Sequence, residues 1–162
     1  MRALGRAVRQ EQVVYLVGGA TAVLNGWRES TIDVDIALAG NTDEILRALP
    51  SIKEELELNV ELASPGEFVP LPSGWEERAI SIGTEGALAF LHFDPYSQAL
   101  AKLERAHAHD LLDVASMIEA GLVDRSLLAA CFDEIERDLY RFPAVDPGAF
   151  RARVRSAVSG RD

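Results

Sequence analysis

Asp33 and Asp35 are the residues of this chain best placed by type and spacing to do chemistry. They stand at i and i+2 in Ile32-Asp33-Val34-Asp35-Ile36, where a strand's period of two sends both carboxylates to one face and the aliphatic side chains to the other. Two like charges so close repel. A hard divalent cation removes the conflict, and Mg²⁺ prefers one or two carboxylates plus the oxygens of a substrate phosphate. Taken alone, such a pair is also what a strand showing solvated acids displays. The preceding Val17-Gly18-Gly19-Ala20 adds a strand that runs into two glycines and then a helix. Glycine lets the backbone approach a ligand closely, and N–H groups at a helix start favour phosphate. A bare tight turn is the plain alternative. Together, a phosphate cradle beside a metal-binding pair is the layout that phosphoryl or nucleotidyl transfer needs.

The elements that must position these residues follow from hydrophobic periodicity. Residues 1–12 read as a helix and residues 13–17 as a short buried strand. Residues 20–25 are helix-prone and closed by Gly26, and residues 31–38 form the strand of the two aspartates. A helix over residues 42–49 is capped by Asn41 or Thr42 and stopped by Pro50. Residues 56–62 alternate as a strand, with Asn59 and Glu61 on one face, and residues 68–75 read as an irregular surface loop. Strands over 78–82 and 87–93 precede helices over 95–121, 124–140 and 147–158. Mixed α and β first, then helices, predicts an α+β domain with a mixed sheet, flanking helices and a helical C-terminal layer. One domain is expected over 1–162, with a core at 13–122 and C-terminal helices at 123–162.

On a continuous helix over 95–121, Gln98, Lys102, Arg105, His109 and Asp113 fall in a stripe about 80° wide. Leu100, Leu103, Leu111, Val114 and Ile118 lie opposite. The stripe reads either as a solvated face laced with i,i+4 pairs or as a row that brings Lys102 to phosphates, with Asp113 or Asp110 orienting it. His107 and His109 face different ways and share no metal.

Composition sets the limits. The chain has 162 residues, 48% hydrophobic and 26% charged, which suits a domain with a buried core. One cysteine, Cys131, excludes an internal disulfide and a cysteine-rich zinc site; its surroundings read as an amphipathic helix that buries it. No apolar run reaches the ~20 residues of a membrane helix. Met1–Gln10 has no apolar stretch or cleavage site of a signal peptide, so a cytoplasmic protein is expected. Arginines give residues 1–12 a charge of +2 and residues 141–162 a charge of +3, which leaves −15 of the net −10 in the middle. An acidic body disfavours nonspecific grip on a long polyanion. No G-x-S-x-G and no P-loop sequence occurs.

Leu16-Val17-Gly18-Gly19-Ala20, followed by Arg28-Glu29-Ser30-Thr31-Ile32-Asp33-Val34-Asp35-Ile36, resembles the signature of the DNA polymerase β-like nucleotidyltransferase superfamily. The likeness is greatest to small bacterial proteins related to abortive-infection and toxin–antitoxin nucleotidyltransferases. Residues 59–70 and 94–114, with Lys102, Arg105, Asp110 and Asp113, resemble later motifs of that group, so the resemblance covers residues 13–122. It implies a polymerase β palm-like fold and an enzyme that moves an NMP from an NTP to an acceptor hydroxyl of a tRNA, a protein or a small molecule. By the same resemblance, Asp33 and Asp35 hold Mg²⁺, two ions in all. Gly18 and Gly19 face the triphosphate, and Thr31 or Ser30 supplies a hydroxyl near the γ-phosphate. Glu61 is the third metal-site acid and activates the acceptor, with Glu57 as the alternative, although aspartate is usual there. Lys102, Arg105 and Asp113 serve the nucleotide. A second function class stays open: a catalytically silent interaction module of the same fold, the antitoxin-like half of a protein pair.

Overall fold

The computed structural model describes residues 1–40 and 42–160. Seven α-helices and five strands occur among them, and the chain divides into two compact units. The first comprises Met1–Ser64 and Ala79–Phe93; the second comprises Pro65–Arg78 and the chain from Asp94 onward. The expected boundary at residues 122 and 123 therefore falls within the second unit.

The first unit holds the whole sheet: β1 (Gln12–Val17), β2 (Asp33–Ala39), β3 (Asn59–Leu62), β4 (Ile80–Glu85) and β5 (Leu88–His92). Their order is β3-β2-β1-β5-β4, with β2–β3 and β1–β5 parallel and the other two pairs antiparallel. This is the expected α+β fold with a mixed sheet, consistent with a nucleotidyltransferase-like architecture. Helices α1 (Arg2–Ala7), α2 (Gly18–Leu24) and α3 (Asp43–Leu56) complete the unit. Its core joins Val14 and Leu16 of β1, Ile36 of β2 and Phe90 of β5 to Leu4 of α1 and to Ile45 and Leu49 of α3. Val34 packs against the same core, so the period of two along β2 leaves Asp33 and Asp35 on the other face.

Several boundaries differ from those read from the sequence. The opening helix ends at Ala7, and Gln12 already belongs to β1. Ile32 precedes β2 and is 87% exposed rather than buried beside Val34 and Ile36. Helix α3 does not stop at Pro50 but runs through it to Leu56, because Ile45, Ala48, Leu49 and Ile52 keep a helical apolar stripe on the core. Glu57 closes it in the left-handed conformation at φ 50°, with Leu58 N–H donating to the Lys53 carbonyl at 3.1 Å. The strand expected from residue 56 thus begins only at Asn59. Thr42 is the α3 N-cap residue without a side-chain cap bond; the other candidate cap, Asn41, lies outside the described residues.

The second unit contains α4 (Pro95–Arg105), α5 (Ala108–Glu119), α6 (Arg125–Glu136) and α7 (Pro147–Ser159). Three begin with aspartate caps, Asp94, Asp124 and Asp146, whose carboxylates accept from backbone N–H groups of the first turn. Asp94 is fully buried and also takes both arms of the Arg78 guanidinium at 3.0 Å. That fork pins the loop expected at residues 68–75, which is therefore no mere surface loop: Val69 is fully buried and Pro72 is buried. Cys131 is buried as expected, near the edge-to-face pair Phe132–Phe150 on α6 and α7. No helix among the described residues is long and apolar enough to cross a membrane.

Candidate functional site

The acids gather because β2 and β3 are parallel neighbours. Their register sets Asp33 opposite Asn59 and Asp35 opposite Glu61, and residues paired across a ladder share a face. Asn59 joins the two strands: its Nδ2 donates to Asp33 Oδ1 at 2.6 Å and to Glu61 Oε1 at 2.9 Å. Asp33 and Asp35 are half-buried, while Asn59 and Glu61 are exposed. Glu57 ends α3 and holds no position on β3. Asn59 is the member of this group whose function the sequence did not reveal. Its place two residues before Glu61 was visible, but the β2–β3 register that turns it toward Asp33 was not.

Gly18 and Gly19 lie against this acidic face. Gly18 opens α2 in the left-handed region at φ 58°, and a Cβ there would stand 2.7 Å from Asp35 Oδ2. Only glycine meets both demands. A Cβ on Gly19 would collide with the Thr31 side chain and come within 3.8 Å of Arg28 Nη1. Thr31 is half-buried and donates its hydroxyl proton to the Asp33 carbonyl at 2.9 Å, while Ser30 is exposed. Arg28 is thus the cation nearest the Gly-Gly turn among these side chains.

Whether these donors suit a divalent cation is a question of number and direction. Among the described residues, no three His, Cys, Asp or Glu side chains converge into a closed metal site. Asp33 and Asp35 instead form an open pair on one strand face, and Asn59 N–H groups already gather at the carboxylates of Asp33 and Glu61. Two carboxylates on one strand face are the number that Mg²⁺ takes from a protein when substrate oxygens supply the rest.

Lys102, Arg105, Asp110 and Asp113 come together within the second unit, though not as a stripe on one helix. The helix expected over 95–121 breaks at Ala106, which is left-handed at φ 54°, and restarts at Ala108. The turn folds α5 back on α4. Lys102 Nζ then reaches Asp113 Oδ2 at 2.6 Å and Asp110 Oδ1 at 3.3 Å, and Arg105 Nη2 reaches Asp110 Oδ1 at 2.9 Å. Gln98, Lys102, Asp110 and Asp113 are all buried, whereas Arg105 is exposed, so the row is not one solvated face. His109 and His107 are exposed. Arg105 also covers the Phe68 ring at 5.2 Å.

A family model described as "Nucleotidyltransferase of unknown function (DUF6036)" matches residues 1–144. The chain belongs to this nucleotidyltransferase family. No curated protein and no solved structure matches it. The family region takes in all five strands and ends before α7 begins at Pro147. The acidic sheet face and the glycine turn that borders it are built by β1, α2, β2 and β3 within one unit.

Proposed function

We propose that this chain is a metal-dependent member of the polymerase β-like superfamily that transfers an NMP from an NTP to an acceptor hydroxyl and releases pyrophosphate. The seat of Asp35 on Gly18, beside Asp33 and across from Glu61, carries this reading. A turn that only reverses the chain has no need of a carboxylate where its Cβ would be.

Asp33 and Asp35 would hold the cation, two Mg²⁺ ions in all, together with phosphate oxygens of the nucleotide. Metal ions so placed neutralise charge on the attacking and leaving oxygens of an in-line displacement. Glu61 is proposed to take the proton from the acceptor hydroxyl, whose oxygen bonds to the α-phosphorus as the α–β bridge breaks and pyrophosphate leaves. The backbones of Gly18 and Gly19 would face the triphosphate, with the Thr31 or Ser30 hydroxyl and the Arg28 guanidinium beside it. By the same resemblance Lys102 and Arg105 would serve the nucleotide, with Asp113 and Asp110 orienting Lys102. The acceptor is a tRNA, protein or small-molecule hydroxyl. An abortive-infection or toxin–antitoxin setting, with a cognate partner protein, extends the same resemblance, as does a cytoplasmic location.

The test is label transfer from each α-labelled NTP with Mg²⁺ and cell extract. Asp33→Asn and Asp35→Asn are each expected to lower transfer by more than about 100-fold, since even outer-shell partners of a metal cost up to that much. Wild type that transfers no label from any of the NTPs would sink the proposal and favour the silent interaction module. Label that survives both substitutions would put the site elsewhere.

A further inference from the structure

Resting on the reading of Asp33 and Asp35 as the reactive pair, we propose that His92 is a positioning residue for that pair. Through Thr21 and Asn25 it fixes α2, and with α2 the seat of Asp35 on Gly18 and of Thr31 on Gly19.

The argument is a proton count. A threonine hydroxyl has one proton, and Thr21 donates it to the Leu16 carbonyl at 3.0 Å. Its oxygen must therefore accept from His92 Nδ1, which stands 3.2 Å away. A neutral imidazole carries one N–H, so Nε2 is left with a lone pair. That lone pair faces Asn25 Nδ2 at 3.4 Å, and the other hydrogen of the same amide goes to the Thr21 carbonyl at 2.9 Å. Each donor is used once and in one direction, which fixes the Nδ1–H tautomer.

Helix α2 has reason to need such a tie. It spans seven residues, and its N-cap residue Val17 offers no side-chain bond. Helices this short do not hold themselves in water. Thr21 sits in the middle of α2 and Asn25 ends it, whereas His92 lies on β5 directly across from Leu16 of β1. The histidine thus ties the helix to two strands of the sheet at once. Gly18 stands one turn before Thr21, and its missing Cβ leaves no slack against Asp35. A helix free to shift by about 1 Å would move Gly18 against the Asp35 carboxylate and loosen its seat, and misplacement on that scale costs up to about 100-fold in rate.

Two measurements on the full chain test this. Long-range ¹H–¹⁵N spectra of ¹⁵N-histidine-labelled protein at neutral pH should show His92 as the Nδ1–H tautomer, and Thr21→Val, which leaves only the Asn25 amide to set it, should weaken that preference. In label transfer, His92→Leu is expected to lower kcat about 10- to 100-fold, whereas His92→Asn, whose amide can donate where Nδ1–H did, should recover much of it. An Nε2–H tautomer in the wild type overturns the proposal, as does a folded His92→Leu variant with unchanged kcat and KM. Wild type inert toward all NTPs would instead defeat the reading of the aspartate pair. The spectra of wild type and Thr21→Val would still decide whether His92 holds α2.

Discussion

At the scale of single residues, the two kinds of glycine in this chain separate conformation from contact. Gly18 and Gly26 both adopt positive φ, 58° and 86°, but only Gly18 has a neighbour, Asp35, where a Cβ would go. Left-handed backbone costs a side-chain-bearing residue about 1–2 kcal/mol. Gly18→Ala and Gly26→Ala should therefore lose comparable stability in urea titrations, while only Gly18→Ala loses NMP transfer, by about 10- to 100-fold. Equal transfer in the two variants would show that Asp35 has no need of its seat. Lys102 poses a different problem. Its charge is buried between Asp113 and Asp110, and removing one partner from such a group leaves an uncompensated charge worth about 3–5 kcal/mol. Lys102→Met should destabilise by that amount, and Lys102→Met with Asp113→Leu should restore most of it, because Arg105 still pairs Asp110. Transfer measured in the double variant, rather than in the unstable single one, tells whether Lys102 serves the nucleotide.

At the scale of elements, local signals and tertiary packing disagreed at two helices, and packing won both times. Pro50 lacks the N–H that would bond to the Leu46 carbonyl, which is why its type predicts a stop. The apolar positions 45, 48, 49 and 52 continued on both sides of it, and burying them outweighs one lost bond. Proline costs a helix interior about 3 kcal/mol against alanine, and about 0.4–1 kcal/mol returns through a stiffer unfolded chain. Pro50→Ala should accordingly stabilise the protein by roughly 2–2.6 kcal/mol; a lower denaturation midpoint would mean that α3 is bent to suit the proline. The second helix failed for a subtler reason. Nothing in Arg105-Ala106-His107 is a customary breaker, since neither glycine nor proline occurs there. Alanine takes the left-handed turn because it lets Lys102 meet two aspartates that a straight helix would carry away from it. By contrast, the Asp33–Asp35 face, the Gly18-Gly19 turn, Gly26 and Glu61 were legible, because each depends on a short period or a single backbone requirement. The β2–β3 register, the role of Asn59 and the His92 network were not. They rest on pairings across 26 to 71 positions, which no local pattern encodes.

At the scale of the whole molecule, these buried and bonded groups set how many protons folding excludes. Burial pushes the pKa of His92 below its ordinary 6.5, since the charged ring would lose its water. The unfolded chain takes up that proton as pH falls through about 6.5, while the folded chain still refuses it. Stability therefore declines with falling pH in that window, by at most about 1.4 kcal/mol per unit for one group. A second decline begins lower. The carboxyl of Glu44 is held below 4.5 by the N–H groups of Arg9 and Gln10, and that of Glu134 by Ser73. Their contribution is present above 4.5 and is lost as pH drops through their folded values. Urea midpoints should thus be level above pH 7, fall as pH drops below about 6.5, and fall further below 4.5. The first step belongs to the same imidazole that ties α2 to the sheet, so His92→Asn should flatten it while leaving the second intact. A decline beginning near pH 6.5 that persists in His92→Asn would assign it to another group. A wild-type midpoint unchanged as pH drops below about 6.5 would mean that the folded protein admits a proton at His92 without losing the Thr21–Asn25 arrangement.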